Sequence, residues 1–405
     1  MAGRTTRRRY LVTAVGAGIT GLAGCTGGGT DEGTRGTATS PTESPDSSGS
    51  VDGEWPMYRA DAANTGTLDT TGPTESVTEQ WRFDLDELVW SAPAVVDSTV
   101  YIGCDDENLY ALDARSGSEQ WRFEADNRVQ SAPAVADGTV YVGSDDDNLY
   151  AIDADTGNEQ WSFDTSESVK MAPAVADDTV YVGVGNISAE SGVMYAIDAT
   201  TGDKRWQFET DKVLHTSPAV ADGTLYFGTG VSGGEDHKLY ALDGATGDME
   251  WTYSGAGAFS YPVVVDGTVY VAVDELVAGL VAIDASTGEE TESYGPDVRA
   301  NSKLVVGAGY IYVTNGETLL AVPEDEYSAE WEFETGGNIW GGLLLVDGTL
   351  YFGSIDGSLY AVDAESGTQQ WAYETGDSHR VTPAVVDGTV YVGGHDGAVY
   401  ALSEQ

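Results

Sequence analysis

Lysine is nearly missing from this sequence, which has 5 lysines in 405 residues, and acidic residues outnumber basic ones by 67 to 18. The net charge of −49 excludes nucleic acid as a partner, because nucleic-acid binding requires a basic surface. Such a molecule repels itself in dilute buffer, but at molar salt the Debye length falls to about 3 Å and screens the repulsion. A regular hydrophobic pattern from residue 79 to residue 402 argues against a disordered acidic chain. The composition therefore predicts a folded protein from an extreme halophile.

Cysteine and histidine are also scarce, with 2 and 4 residues. The histidines lack the spacing of a zinc site, and no nucleotide-binding or serine-hydrolase motif occurs in a suitable strand–helix context. The acidic turns Asp105-Asp106-Glu107-Asn108 and Asp145-Asp146-Asp147-Asn148 lack the residue order of an EF-hand loop. They are interpreted as solvated hairpin tips, with calcium binding as the alternative. The sequence thus predicts no catalytic residue and no metal ligand.

The first 25 residues resemble an export signal. Thr6-Arg7-Arg8-Arg9-Tyr10-Leu11 is similar to a twin-arginine motif, and the apolar stretch that follows, Leu11 to Leu22, is too short to span a membrane. Leu22-Ala23-Gly24-Cys25 resembles a lipobox, in which Cys25 becomes the lipidated first residue. We therefore expect residues 1–24 to be a twin-arginine lipoprotein signal peptide. The alternative is a basic tail with an incidental cysteine.

Residues 25–54 are dominated by Gly, Thr, Ser, Pro and Asp, which predicts a flexible tether between lipid and domain. The expected location is the extracellular face of the cytoplasmic membrane, with the protein anchored by lipid at Cys25. Once Cys25 carries lipid, Cys104 has no partner in the chain, so no disulfide is expected.

Residues 55–405 contain one repeated unit. The stretch from Ser131 to Gly143, followed by Asn148-Leu149-Tyr150-Ala151-Ile152-Asp153, recurs from Ser91 onward and in later copies. Eight copies follow from the tyrosine of the second strand, at Tyr101, Tyr141, Tyr181, Tyr226, Tyr270, Tyr312, Tyr351 and Tyr391. Each copy has four short strands, A to D, with Asp-Gly turns between A and B and Thr-Gly or Ser-Gly turns between C and D. Four-stranded units repeated at this period predict an all-β, eight-bladed β-propeller.

A tryptophan in strand D is expected to pack between adjacent blades. It stands at Trp121, Trp161, Trp206, Trp251, Trp331 and Trp371, whereas Glu292 replaces it in the fifth copy. The seam between blades 5 and 6 is therefore expected to be the loosest. The eighth copy ends before its strand D, and a matching strand around Trp81 precedes the first copy. The N-terminal strand is thus predicted to complete blade 8 and close the ring, which removes open sheet edges.

The unit Ala151-Ile152-Asp153 through Trp161, and the lead-in from Trp55 to Gly66, resemble the pyrroloquinoline-quinone (PQQ)-like propeller repeat. That family includes quinoprotein alcohol dehydrogenases and cofactor-free members such as the lipoprotein scaffold of outer-membrane protein assembly. This chain has no adjacent cysteine pair, and the calcium ligands and catalytic Asp of the dehydrogenases cannot be placed on it. The resemblance is therefore to the cofactor-free lipoprotein and scaffold branch, of haloarchaeal type. It implies no cofactor, with PQQ and calcium expected only under the alternative.

A propeller binds its ligands where the B–C and D–A loops meet around the central channel. The B–C loops lengthen in three consecutive blades, at 184–193, 229–238 and 274–279, which indicates either function or drift in permissive loops. A second candidate feature is the residue three positions before the strand-A proline or its equivalent. The residue type at this position differs in all eight blades. The predicted binding ring is Trp90, Gln130, Lys170, His215, Phe259, Asn301, Trp340 and Arg380. Its cations and aromatics suit a small anionic or aromatic ligand or an acidic peptide, and the alternative is a water-filled funnel.

The leading hypothesis is a non-catalytic cell-surface scaffold or ligand-binding module, a monomeric propeller that binds a cell-surface or secreted protein or a small anionic or aromatic ligand. One alternative is a PQQ-dependent oxidoreductase or its accessory subunit. Another is a polysaccharide-binding or hydrolytic propeller. Asn186-Ile187-Ser188 is a predicted N-glycosylation sequon, as expected for an exported protein.

Overall fold

The computed structural model describes residues 54–68, 70–186, 191–214, 216–230, 237–255, 258–274, 279–294 and 303–405. The predicted lipidation site Cys25, the ring positions His215 and Asn301, and the tips of the long B–C loops lie outside these ranges. Within the described ranges, no helix is long and apolar enough to cross a membrane. Their regular structure consists of 34 β-strands.

Two strands precede the repeats, β1 at Thr67–Leu68 and β2 at Val77–Asp84. Blades 1 to 4 are formed in the order A to D by β3–β6 (Ala94–Val96, Thr99–Gly103, Asn108–Asp113, Glu119–Glu124), β7–β10 (Ala134–Ala136, Thr139–Gly143, Asn148–Asp153, Glu159–Asp164), β11–β14 (Ala174–Ala176, Thr179–Asn186, Ser191–Asp198, Lys204–Thr210) and β15–β18 (Ala219–Ala221, Thr224–Gly228, His237–Asp243, Met249–Gly255).

In the second half of the ring, a short extra strand, β19 at Ala258–Phe259, precedes blade 5. Blades 5 to 8 are formed by β20–β23 (Val263–Val265, Thr268–Asp274, Leu280–Asp284, Glu290–Tyr294), β24–β27 (Leu304–Gly307, Tyr310–Asn315, Thr318–Pro323, Trp331–Glu334), β28–β31 (Leu344–Val346, Thr349–Gly353, Ser358–Asp363, Gln369–Glu374) and β32–β34 (Ala384–Val386, Thr389–Gly393, Ala398–Glu404).

The ring closes as the sequence predicts. Strand β2 pairs antiparallel with β34, with Trp81 opposite Ala401, and so supplies strand D of blade 8. The eight-bladed propeller with an N-terminal closing strand is therefore confirmed. The Asp-Gly turns between strands A and B are confirmed as well, because Asp137 and Gly138 have φ of 48° and 72°, as a type I′ hairpin requires.

The hydrophobic core lies between neighbouring blades. Side chains of a strand alternate between its two faces, so each sheet presents one apolar face to the blade before it and another to the blade after it. One buried cluster, for example, joins Tyr101 and Ala111 of blade 1 to Val140, Val142 and Ile152 of blade 2.

Seven of the eight seams also have a backbone carbonyl that accepts hydrogen bonds from both a tryptophan and a tyrosine. Trp161 of blade 2 donates from Nε1 to the carbonyl of Ala199 in blade 3 at 3.0 Å, and the hydroxyl of Tyr141 donates to the same carbonyl at 3.1 Å. Gly202, at a φ of 75°, packs against the face of that indole, and a Cβ there would lie 2.8 Å from the ring. The same arrangement recurs around the ring, which confirms that these tryptophans pack between blades.

The seam between blades 5 and 6 uses tyrosines instead. The Tyr294 hydroxyl donates to the carbonyl of Glu324 at 2.9 Å, and the ring of Tyr327 lies 5.9 Å from that of Tyr294. Glu292, in the place of the tryptophan, accepts a hydrogen bond from the Tyr327 hydroxyl at 2.7 Å. Aromatic packing is thus retained at this seam, and its lower stability stays a prediction.

The lead-in segment closes one end of the central channel. The carbonyls of Pro56, Ala62 and Ala63 accept hydrogen bonds from the inner strands of blades 2, 4 and 5, and β1 pairs in parallel with β28 of blade 7. The segment enters and leaves beside the A–B turns, a side that we call the turn face. The opposite side, with the B–C and D–A loops, is the mouth face. The lead-in therefore plugs the channel from the turn face.

Candidate functional site

The open end of the channel is a small cavity of about 130 Å³, which we call the cup. All eight blades contribute to its wall, and Tyr58 of the lead-in contributes to its floor. Its larger lining residues are Tyr58, Trp90, Gln130, Lys170, Met171, Tyr261, Lys303, Trp340 and Arg380. Ring closure brings these residues together from positions up to about 320 apart in the sequence, since the innermost strand of every blade begins at the same end of the channel.

Five members of the predicted ring line the cup: Trp90, Gln130, Lys170, Trp340 and Arg380. Phe259 does not. Strand β19 pairs with the end of β21, and Phe259 is buried in the core, with its ring 6.1 Å from that of Tyr253. This local pairing, which no sequence pattern indicated, explains the difference. Asn186, the predicted glycosylation site, is the last residue of β12, and its side chain lies outside the described part of the chain.

The rim of the cup is aromatic and cationic. The guanidinium of Arg380 lies 4.1 Å from the ring centroid of Trp340 and 5.7 Å from that of Trp90. Trp340 is 47% exposed and Trp90 is 37% exposed, although large aromatic side chains are otherwise mostly buried in this molecule. His395 packs on Trp90 at 4.1 Å, and burial together with the charge of Arg380 lowers the pKa of His395. A neutral imidazole therefore supports the indole at neutral pH.

Two other rim residues are held by carboxylates. Gln130 donates from Nε2 to Asp105 at 2.8 Å, and Lys170 Nζ lies 3.5 Å from Asp145. Both acids belong to the Asp-rich B–C turns, in which Asp106 accepts a hydrogen bond from the Tyr110 hydroxyl at 2.7 Å. Among the described residues, no group of three or more potential metal ligands occurs. In this part of the chain, the acidic turns therefore position the rim and their own hairpins.

Backbone hydrogen bonds to side chains hold the wall of the cup together. Ser91 Oγ donates to the carbonyl of Ser131 at 3.1 Å, and Ser131 Oγ donates to the carbonyl of Met171 at 3.0 Å. On the other side of the ring, the amide of Gly342 donates to Thr382 Oγ1 at 2.8 Å. Each of these hydrogen bonds joins two neighbouring blades. The rim residues therefore project from a wall whose blades are held together by hydrogen bonds.

The floor contains residues that the sequence analysis missed. Lys303 Nζ lies 3.8 Å above the ring centroid of Tyr261, and the rings of Tyr261 and Tyr58 are 5.6 Å apart. Arg59 lies beside them, is 1% exposed, and donates to the carbonyl of Leu304. Burial opposes ionisation of the Tyr58 hydroxyl, yet the charges of Lys303 and Arg59 lower its pKa below the ordinary value. The floor is thus a region of positive potential.

A second position of the repeat indicates these residues in the sequence. Two residues after the predicted ring position, six blades carry a small residue: Ala92, Ala132, Ala172, Ser217, Gly342 and Thr382. Blades 5 and 6 carry Tyr261 and Lys303 at that position. The small residues leave space at the centre of the channel, and the two large ones extend into it beside Tyr58.

These features define an eight-bladed β-propeller with a plugged channel and a cationic, aromatic cup at its mouth. Residues 73–207, 189–295 and 292–405 match the family model described as outer membrane protein assembly factor BamB, a PQQ-type repeat. The chain therefore belongs to this family of propellers. No curated protein matches it in sequence.

Solved structures with the same fold include enzymes and a scaffold. A europium-containing methanol dehydrogenase superposes with a TM-score of 0.72 at 16% identity, covering 87% of this chain and 98% of that one. A quinohemoprotein alcohol dehydrogenase from Pseudomonas putida gives 0.74 at 19%, covering 87% and 80%. BamB from Moraxella catarrhalis gives 0.68 at 20%, covering 81% and 100%. At these identities the similarity shows the fold alone.

Proposed function

We propose that this protein is a non-catalytic binding propeller, a scaffold whose mouth face holds an anionic partner at the cup. The observation that carries the proposal is the stack of Arg380 between two exposed indoles, Trp340 and Trp90. Tryptophan and arginine are enriched among the residues that dominate the binding energy of protein interfaces, and exposed aromatic surface marks interaction sites. A scaffold role is also in keeping with the family model that the chain matches.

The lining of the cup suits an anionic partner because it contains three cations and no acid, in contrast to the acidic rest of the molecule. A net charge of −49 repels anions in dilute solution. At molar salt this long-range repulsion is screened, whereas contacts made within the partly buried cup are screened much less. Recognition at the cup would therefore depend on direct contacts with Arg380, Lys170 and the two indoles.

The second candidate is a quinone-dependent oxidoreductase, which the fold of two dehydrogenases suggests. The aromatic and cationic rim fits a planar quinone that carries carboxylates. The residues around it do not fit a calcium ion, which takes six to eight oxygen ligands. The rim carboxylates, Asp105 and Asp145, belong to different blades and are engaged by Gln130 and Lys170. The oxygen ligands among the described residues therefore favour a binding propeller over a quinone-dependent oxidoreductase.

The proposal includes an exported, lipid-anchored protein of a halophile. It rests on the twin-arginine motif, on Cys25 in a lipobox and on the excess of acidic residues. The described chain begins at Glu54, which lies with Asp97 and Asp137 at the turn face.

Photo-crosslinking in cells tests the proposed function. Benzoylphenylalanine is placed at Trp340, and at Tyr327 and Met249 as controls, because these two side chains are 58% and 57% exposed at the turn face. We expect a discrete adduct from position 340 that disappears when Arg380 is changed to Ala. Absence of an adduct at 340, or the same adduct from the controls, would refute a binding site at the mouth.

A further inference from the structure

The cup differs in its charge from two grooves at the turn face. A groove between blades 1 and 2 at the turn face is lined by five acids: Glu54, Asp97, Asp113, Asp137 and Asp155. A similar groove between blades 6 and 7 contains Asp347, Asp363 and Glu365. The cup contains no acid among its lining residues and three cations, Lys170, Lys303 and Arg380. In a chain with 67 acids and 18 bases, this distribution marks a local site for negative charge.

Two of the three cations have no carboxylate partner among the residues that the structure describes. Lys170 is 3.5 Å from Asp145, whereas Lys303 and Arg380 have no carboxylate within 4 Å in the described part of the chain. They contact aromatic faces instead, Lys303 on Tyr261 and Arg380 on Trp340. Cations that are removed from water need a negative partner or strong hydrogen bonds, and here a ligand can supply that partner.

Hydrogen-bond donors meet at the same place. The Tyr58 hydroxyl interacts with Lys303 and Thr382 at the floor, and the pKa of Tyr58 is lowered by the neighbouring charges of Lys303 and Arg59. Arg380 Nε at the rim is buried and has no hydrogen-bond partner among the described residues. The cup thus offers a ligand more hydrogen-bond donors, both charged and neutral, than hydrogen-bond acceptors.

We propose that the floor of the cup binds one carboxylate group of a polypeptide, held by Lys303 and the Tyr58 hydroxyl. The proposal rests on the proposed function and names the chemistry of its partner. A cavity of about 130 Å³ accepts a carboxylate with a few attached carbon atoms, but not a folded domain. Trp90 and Trp340 extend outside it and would remain uncovered by a small free acid. The residues on either side of the carboxylate cover them, so the occupant is a chain segment.

The first test measures the preference for a carboxylate with two small probes, benzoate and its neutral counterpart benzamide. Ligand-observed NMR in molar KCl gives their dissociation constants for the full chain. We expect benzoate to bind at least about tenfold more tightly, the size of one charge-assisted hydrogen bond. The substitution Lys303→Met should reduce this preference to less than about threefold, whereas the control Lys204→Met, on the outer strand of blade 3, should leave it unchanged.

Equal binding of the two probes, or no binding of either, would overturn the proposal. So would an unchanged benzoate preference in folded Lys303→Met, as checked by circular dichroism. Should that variant not fold, Tyr58→Phe removes only a hydroxyl and is expected to weaken benzoate binding severalfold, and unchanged binding overturns the proposal equally. Crosslinking at Trp340 is independent of this result. An adduct without benzoate preference refutes the floor site alone, and benzoate preference without an adduct refutes the proposed function alone.

Peptide competition tests the polypeptide origin of the carboxylate. One peptide has an internal aspartate and blocked ends, a second has a free C-terminal carboxylate and no acidic side chain, and a third has neither. Displacement of benzoate by the first or the second identifies a side chain or a chain end as the source. If all three peptides, or none, displace benzoate, a polypeptide carboxylate is not the ligand.

Discussion

The carbonyl that a tryptophan and a tyrosine share at seven of the blade seams gives a quantitative prediction about stability. At the seam between blades 2 and 3, the carbonyl of Ala199 accepts from Trp161 at 3.0 Å and from Tyr141 at 3.1 Å, and Ala199 is only 8% exposed. In Trp161→Phe or Tyr141→Phe, the carbonyl keeps one donor. Each change should therefore cost only the net value of one hydrogen bond, about 1 kcal/mol, plus lost packing for the indole.

The double variant removes both donors and leaves a buried carbonyl without a partner, which costs about 1–3 kcal/mol in desolvation. We therefore expect the free energy of unfolding to fall by about 1–2 kcal/mol more than the sum of the single effects. The packing that Trp161→Phe loses is common to the single and the double variant, so it cancels in the thermodynamic cycle. Trp161→Ala, by contrast, removes the whole wedge and should cost about 3–5 kcal/mol.

Equilibrium unfolding in urea, followed by circular dichroism at constant molar KCl, measures these free energies. The control cycle pairs Trp161→Phe with Tyr181→Phe, because the Tyr181 hydroxyl donates to Gly244 at 3.0 Å and shares no acceptor with Trp161. That control should be additive. Additivity in the Trp161 and Tyr141 cycle, or equal coupling in the control, would refute the role of the shared carbonyl.

Three further predictions concern the whole molecule. The melting temperature should rise steeply between dilute buffer and molar KCl, since salt screens a net charge of −49, and an unchanged value would contradict the halophilic interpretation. Deletion of residues 55–84 should abolish folding, as it removes the plug and the strand paired with β34, whereas deletion of residues 26–50 should leave the melting temperature unaltered; equal effects would argue against ring closure as a requirement. Cys25→Ser should release the protein into the medium, and full retention on the membrane fraction would show that the anchor lies elsewhere.

Much of the fold could be predicted from the sequence because the information is local and repeated. An Asp-Gly pair such as Asp137-Gly138 specifies its hairpin through φ angles that only a few residue types tolerate. The alternation of apolar and polar residues within each strand specifies which side chains face a neighbouring blade. A strand D that precedes the first copy, while the eighth copy lacks one, indicates that the ring closes through this strand. The turn and alternation signals each need a window of about 40 residues or fewer, and eight copies make the pattern unambiguous.

The cup could be predicted only in part. The variable position before strand A includes Trp90, Gln130, Lys170, Trp340 and Arg380, which line the cup. In blade 5 the same position places Phe259 in the core, because β19 pairs with β21. A register position predicts where a side chain lies only while every blade keeps the same local pairing.

The floor of the cup was decided by tertiary structure. Tyr58 belongs to a segment outside the repeats, and it reaches Tyr261 and Lys303 only because the lead-in folds into the channel. No local pattern predicts that contact, since it depends on where a non-repeating segment docks after the ring has closed. The repeats alone thus determined a ring of eight blades with an open centre. The residues that fill the centre come from positions about 200 to 300 apart in the sequence, so long-range packing decides them. The same packing places the positive charge of Lys303 at the floor of the cup.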